Sequence, residues 1–233
     1  VFNGSIKMIN FDILHESLDV LTQNTEKPRA YFVPFASPES AETLDRTKSE
    51  YFKSLCGTWN FKYYDSFYDI EEDLSQVNSD DFTETLPVPS NWQMFLDRGY
   101  DVPQYTNIKY PYIKEPPFIP KHNPCGIYNR DFYLSEGFNK RELFLTFEGV
   151  DSAFYVYINN TFVAYSQVSH CVSEINITKY VNNGVTPLIE LSAALNTACE
   201  NSGVNELCIN IGTITGDNIA HLVEAIGTKN EEI

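Results

Sequence analysis

The sequence predicts a mainly β protein, a β-sandwich or barrel, and its middle section provides the evidence. Short runs rich in β-branched and aromatic residues follow one another at residues 128–134, 142–147, 153–158 and 161–165. Asn159-Asn160 separates the last two runs, and such a pair suits the left-handed positions of a tight hairpin turn. Turn signals recur about every ten residues, which is typical of two-sheet and barrel folds.

Composition and charge exclude several classes of protein. The chain has 233 residues, of which 42% are apolar and 14% aromatic, enough for a sizeable core. No apolar run is long enough to span a membrane. The formal net charge of −16 would repel a phosphate backbone or an anionic lipid surface. We therefore expect neither nucleic acid nor membrane as a partner.

The five cysteines are scattered along the chain and form no metal-binding or disulfide pattern. The N-terminus lacks the basic and then apolar layout of a secretory signal. These features predict a cytoplasmic protein with free thiols.

Residues 86–124 hold eight of the twelve prolines, so this stretch is predicted to be an irregular loop. It combines aromatic side chains with amides, as in Asn91-Trp92-Gln93 and Gln104-Tyr105-Thr106-Asn107. Sugars are bound by such groups, because rings stack on C–H faces and amides bond to pairs of hydroxyls. In the alternative interpretation, Trp92 and the tyrosines plug the mouth of the sandwich.

A break in composition divides the chain near Gly184. All 33 aromatic residues precede it, whereas residues 185–233 contain none, although the chain average predicts about seven there. We therefore predict three parts: an N-terminal arm over 1–27, a β-sandwich over 28–184 and a tail over 185–233.

The tail has the pattern of an α-β-α fragment. Thr186-Pro187 resembles a helix start, the apolar residues that follow have helical spacing, and Gly203 could end the helix. A strand is predicted over 206–211 and a second short helix after Asp217.

Many motifs in one order make the first three quarters of the chain resemble the N-terminal portion of bacterial β-galactosidases of glycoside hydrolase family two. These motifs are Pro28 to Phe32, Leu55 to Phe61, Val88 to Gln93, Tyr105-Thr106-Asn107, Pro116 to Pro120, Asn123 to Tyr128, Glu148 to Phe154, Tyr165-Ser166-Gln167 and Ser173 to Thr178.

The resemblance implies a jelly-roll, galactose-binding-like domain that binds sugar and packs against a catalytic TIM barrel. It further implies that Asn107 reaches into the active site and touches the galactoside, unless its amide only stabilises the loop. Gln167 matches a position that helps hold magnesium in some members. Family enzymes use magnesium and sodium ions, but no metal site or cofactor is predicted in this chain, because the other ligands are not identifiable.

Two catalytic carboxylates are required for a retaining glycosidase, and the family takes both from the later barrel. Glu206 lies in the aromatic-free tail without the family's sequence context, and we interpret it as a surface residue. The chain alone is therefore predicted to be inactive, with no catalytic residue of its own.

Two weaker motifs favour ordinary structure. His170 and Cys171 are adjacent, and neighbouring residues on a strand point to opposite faces, so a catalytic pair is not expected. Gly212 to Asp217 lacks the spacing and the lysine of a phosphate-binding loop, and a plain connection is expected there.

The sequence thus predicts a sugar-binding domain of a β-galactosidase without its barrel, which supports substrate positioning and subunit contacts. Its expected partners are a β-galactoside and a catalytic domain or partner chain. A free-standing carbohydrate-binding module and an inactive truncated product are the alternatives. Because the match ends near Gly184, we also expect an open sheet edge, and consequently low stability and self-association. Two covers for this edge are open: Leu188 to Ala194 as a substitute strand, or a helix from Pro187, which the leucine spacing favours.

Overall fold

The computed structural model is a sandwich of two antiparallel sheets and describes residues 13–71, 73–103, 115, 117–135, 138, 141–181, 185–193 and 209–213. The strands are β1 Thr22–Gln23, β2 Phe52–Ser54, β3 Gly57–Tyr64, β4 Glu84–Val88, β5 Cys125–Tyr133, β6 Leu143–Phe147, β7 Ala153–Ile158, β8 Thr161–Ser166, β9 Ser173–Asn176, β10 Val185–Ala193 and β11 Ile209–Thr213. One sheet has the order β1-β8-β7-β10-β5-β3-β4 and the other β2-β11-β6-β9. The predicted mainly β sandwich is confirmed.

Helical structure is sparse in the described residues. A single α-helix, α1, covers Pro38–Glu42, and Ser37 caps its N-terminus by accepting a hydrogen bond from the backbone N–H of Ser40. Short 3₁₀ turns cover Leu14–Glu16, Arg46–Lys48, Phe67–Asp69, Ser79–Asp81, Trp92–Met94 and Leu96–Arg98. No helix in this part of the chain is both long and apolar enough to cross a membrane.

β7 is an inner strand of the seven-stranded sheet that is buried on both faces, so it has no exposed position. Phe154, Val156 and Ile158 face the four-stranded sheet, and the ring of Phe154 lies 4.7 Å from that of Phe147 in β6. Tyr155 and Tyr157 point the other way. They pack against the connection between β3 and β4, which supplies Phe67, Ile70, Leu74 and Val77.

Most predicted strands are confirmed with small shifts in their bounds. β5 begins three residues before the predicted run, and β7 and β8 lie where the sequence placed them. Asn159 and Asn160 have φ values of 48° and 61°, the left-handed turn that the pair predicted. The strand predicted over 206–211 appears as β11 over Ile209–Thr213.

The helix favoured from Pro187 is wrong, and the alternative of a substitute strand is confirmed, because Val185–Ala193 form β10. This strand pairs with β5 along its whole length and with β7 from Leu188 onward, so two ladders replace the hydrogen bonds of a helix. Pro187 lies before the first residue that pairs with β7, so its missing N–H leaves that ladder intact. The open edge expected beside β5 and β7 is therefore filled.

The helices predicted beyond residue 193 lie outside the described residues. The domain limits drawn from composition stay a prediction.

Candidate functional site

Asn107, the predicted sugar contact, lies in the segment 104–114, which is outside the described residues. The structure does describe the residues that lead into and out of this segment. Asp101, Val102 and Pro103 precede it, and residues 117–124 follow it. The candidate site is therefore described through the residues on either side of this segment.

The lead-in is fixed by three aromatic side chains. Tyr63 is in β3, and its ring centroid lies 5.0 Å from that of Tyr100 and 6.1 Å from that of Trp92. The hydroxyl oxygen of Tyr63 accepts a hydrogen bond of 3.0 Å from the backbone N–H of Asp101. The Tyr100 hydroxyl donates to the carboxylate of Glu84 in β4. These contacts fix the chain at Asp101, three residues before the segment 104–114 begins. We call Tyr63, Trp92 and Tyr100 the aromatic anchor.

Trp92 is buried in the core, with 3% of its surface exposed. Its ring stacks at 6.4 Å on Tyr128 and lies 6.0 Å from Phe61. The structure therefore supports the interpretation in which Trp92 plugs the mouth of the sandwich, and leaves no free face of this ring for a sugar.

Gly126 makes this packing possible. A Cβ atom at that position would lie 2.6 Å from the Phe61 ring and 2.9 Å from the Trp92 ring, closer than side chains pack. Gly126 pairs with Tyr63 across β5 and β3, so the glycine lies directly beside the aromatic anchor.

The lead-out returns to the same end of the seven-stranded sheet. Asn123 stands two residues before β5, and its carbonyl oxygen accepts from the N–H of Phe67 at 2.9 Å. Its side-chain amide is buried and has no hydrogen-bond partner among the described residues. The N–H of Ile119 donates to the carboxylate of Glu16 at 3.3 Å. Both attachments are therefore held close to where β3 ends and β5 begins.

Burial sets the protonation of the anchor phenols. It raises the pKa values of Tyr63 and Tyr100, because the charged form would lose its hydration. Both phenols are neutral at physiological pH and act as hydrogen-bonding groups. The anchor provides geometry, and it offers no charged group for catalysis.

Gln167 holds the N-terminal arm. Its amide nitrogen donates to the backbone carbonyls of Ser17 at 3.2 Å and Val20 at 2.7 Å. The part of the chain that the structure describes contains no group of three His, Cys, Asp or Glu side chains that could hold a metal. These contacts assign Gln167 an arm-holding role, and we derive no metal chemistry from it.

The weaker sequence motifs show no shared chemistry. His170 lies in a turn and faces Asp151, with 3.5 Å between its Nδ1 and a carboxylate oxygen, while Cys171 is exposed. Glu206 lies outside the described residues. Gly212 and Thr213 end β11, and residues 214–217 lie outside the described residues.

Sequence reasoning missed the anchoring role of Tyr63, Tyr100 and Asp101. A signal was present in β3, where Trp59, Phe61 and Tyr63 alternate with polar residues in the period of a half-buried strand. The contact between Tyr63 and Asp101 joins residues 38 positions apart, and no local pattern reports such a contact.

Comparison with known proteins gives consistent matches. The family model described as glycosyl hydrolases family 2, sugar binding domain, matches residues 52–196. The β-galactosidase of Actinobacillus pleuropneumoniae is 42% identical over 170 residues, and that of Staphylococcus xylosus is 42% identical over 173 residues. Each match covers 73% of this chain but 16% of the relative, so the chain spans about a sixth of their length. A β-glucuronidase of an uncultured Clostridium superposes with a TM-score of 0.49 at 15% identity, over 71% of this chain and 29% of that one.

Proposed function

The chain belongs to the sugar-binding domain family of the family 2 glycosyl hydrolases, and from this premise we propose that it positions β-galactosides such as lactose for hydrolysis. The identity to two β-galactosidases supports this substrate class. The observation that carries the proposal is the anchoring of Tyr100 and Asp101 by Tyr63, just before the segment that contains Asn107. A rigid base is what a substrate-positioning loop requires, because small displacements of a positioning group are costly in rate.

In this proposal Asn107 binds the sugar and does no covalent chemistry. An amide both donates and accepts, so it can bond to two neighbouring hydroxyls of a galactoside. The acid that protonates the leaving oxygen and the carboxylate nucleophile come from a catalytic domain, on the same polypeptide or on a partner chain. The 233 residues alone then lack the means to cleave a glycosidic bond.

The alternative of a free-standing carbohydrate-binding module receives less support. Such a module needs an exposed ring on which a sugar stacks, and Trp92, the tryptophan of the Pro-rich loop, cannot supply it because its indole is buried between Phe61 and Tyr128. Calorimetric titration of the chain with lactose separates the two functions. Tight binding without a catalytic domain would favour the module.

The proposal is tested by combining the chain with a β-galactosidase fragment that lacks this domain and following hydrolysis of a chromogenic β-galactoside. The chain alone should give no turnover above buffer. In the active mixture, Asn107→Ala should lower kcat/KM by about 10-fold to 100-fold, because hydrogen bonds worth roughly 1–3 kcal/mol are lost.

Gln76→Ala is the matched control, since it removes an exposed amide that binds Asp73 in the connection between β3 and β4. Equal kinetics for Asn107→Ala and Gln76→Ala would contradict the sugar contact. Turnover by the purified chain alone, abolished by Glu206→Gln, would contradict the assignment of the chemistry to another domain.

The proposal also includes self-association. The sequence suggested that it occurs through an open sheet edge, but β10 fills that edge. The edge strand β4 is blocked, since Arg98 and Ser90 donate to the carbonyls of Thr85 and Pro87. The exposed side chains of Met94 and Leu96 offer an apolar contact instead. Light scattering across a range of protein concentrations tests this self-association.

A cytoplasmic location is proposed from the free thiols and is tested by cell fractionation.

A further inference from the structure

The N-terminal segment Ile13–Asn24, here called the arm latch, covers one edge of the seven-stranded sheet. β1 occupies this edge with only two residues, Thr22 and Gln23, which pair with Ser166 and Tyr165 of β8. Without β1, the backbone of β8 would be the edge of the sheet. The latch therefore covers the edge of β8 with a ladder of only two residue pairs.

Few apolar contacts hold the latch between residues 18 and 24. Leu18 and Leu21 are largely exposed, and of the three apolar residues here only Val20 packs on the core. Gln167 supplies polar contacts instead: its backbone N–H donates to the Leu21 carbonyl at 3.0 Å, and its amide reaches Ser17 and Val20. Such hydrogen bonds contribute about 1 kcal/mol each, so the segment needs a further anchor.

His15 is that anchor. It is 7% exposed and lies edge-on to the ring of Phe67, with 4.4 Å between the ring centroids. Its Nδ1 lies 2.9 Å from the hydroxyl of Tyr155 in β7. The same hydroxyl oxygen accepts the backbone N–H groups of Leu14 and His15 at 2.9 and 3.3 Å. This network assigns Nδ1 as the acceptor of the Tyr155 proton, which requires a neutral imidazole.

A proton on Nδ1 conflicts with this arrangement. The charged ring would present a donor where the Tyr155 hydroxyl already donates, and its Nε2 is buried with no partner among the described residues. Burial lowers the pKa of His15 from 6.5 to about 4, although the neighbouring Glu16 opposes the shift.

The other polar groups around His15 do not offset this cost. Glu16 is the carboxylate on its own turn, and it is engaged with the Tyr68 hydroxyl at 2.6 Å and with Ile119. Tyr68 follows Phe67, whose ring packs against His15. Tyr155 contacts His15 from β7, and Tyr165 of β8 packs on Tyr155. Burial raises the pKa values of Tyr68 and Tyr165, so these phenols stay neutral across the acidic range.

We propose that His15 makes the arm latch pH-sensitive: neutral His15 holds the latch on β7 and β8, and protonation of His15 releases it and opens the edge of β8. The direction of the pH dependence of latch docking follows from proton linkage. In the released segment the imidazole titrates near its ordinary value of 6.5, so between that pH and about 4 only the released form takes up the proton. Docking is strongest above pH 6.5 and weakens as the pH falls toward 4.

The test is amide hydrogen exchange measured by NMR on the 233-residue chain at pH 7 and pH 4.5, corrected for intrinsic rates. The reporters are the N–H groups of Gln167 and Leu14, which donate across the latch. The reference is the N–H of Ile177, which donates to Leu143 in the other sheet. Protection of the reporters should fall about 60-fold relative to the reference between pH 7 and pH 4.5, as proton linkage predicts for the shift in the pKa of His15.

His15→Gln removes the titrating group and should abolish most of this pH dependence. The exposed His122 provides the matched control, since His122→Gln should preserve the dependence. If His15→Gln does not fold, the wild-type chain still decides, because the His15 ring signal and the Gln167 amide must titrate with one midpoint. Equal pH dependence in His15→Gln, separate midpoints, or equal loss at Ile177 and Gln167 would overturn the proposal.

Discussion

The two-sheet body and the described N-terminal residues 13–32, called the arm from here on, are held by different forces. In the body, side chains such as Phe147, Phe154 and Trp59 are fully buried between the sheets. The arm is mostly exposed and is held by hydrogen bonds and ion pairs, among them the bidentate pair of Arg29 with Glu174. Apolar burial contributes several kcal/mol per large side chain, whereas exposed polar contacts contribute about 1 kcal/mol or less.

This difference bears on function. The aromatic anchor belongs to the body, since Tyr63 and Trp92 pack on its core, and it fixes the chain just before the segment that contains Asn107. The arm pairs with β8 at one edge of the seven-stranded sheet, and its Glu16 also accepts a hydrogen bond from Ile119 in the lead-out. The molecule thus combines a buried aromatic anchor with a mostly exposed arm.

The largest expected effect comes from emptying the body's interior. Phe147→Ala removes a ring with 0% exposure that contacts Phe154. We expect a loss of about 3–5 kcal/mol in the free energy of unfolding, measured by urea denaturation, because the cavity adds to the lost burial. Phe118→Ala, at an exposed aromatic, is the control and should change stability by less than about 0.5 kcal/mol. Equal losses would mean that the sheets do not pack face to face.

A smaller effect is expected beside the aromatic anchor. Gly126→Ala places a methyl group against Phe61 and Trp92, and such overpacking should cost about 1–3 kcal/mol in thermal or urea unfolding. Phe61→Leu in the same chain frees space, so the double variant should lose less than the sum of the single losses. If the losses in unfolding free energy of the two single variants simply add in the double variant, the close approach of Gly126 to the Phe61 ring is contradicted.

The smallest effect is expected in the arm. Glu174→Gln breaks the ion pair with Arg29, whose Nη2 lies 2.6 Å from Oε1 of Glu174. The loss in unfolding free energy should be about 1 kcal/mol or less and should shrink at high salt, since the pair is partly exposed. A loss comparable to that of Phe147→Ala would remove the distinction between arm and body.

Local patterns predicted much of the fold. β7 and β8 could be located because their β-branched and aromatic runs flank the Asn159-Asn160 turn. β10 could not, because Thr186-Pro187 and the spacing of its leucines match a helix, and what overrides them is pairing with two strands more than 25 residues away. Local propensity does not report partners at that distance.

The candidate site divides in the same way. The role of Asn107 was predicted from the sequence, because the Tyr105-Thr106-Asn107 motif is part of an ordered series of family motifs. Its supports, Tyr63 and Gly126, depend on tertiary packing and were visible only in the structure. The burial of Trp92 likewise distinguishes between two interpretations that composition left open.

The central structural claim is that Val185–Ala193 complete the body as an inner strand, and native-state hydrogen exchange with fragment analysis tests it most directly. In neutral buffer, the amides of β10 should exchange as slowly as those of β5 and β7, because all three open only with the whole sheet, while β1 should exchange much faster. Exchange of β10 at the rate of β1, with β5 and β7 still protected, would contradict the account.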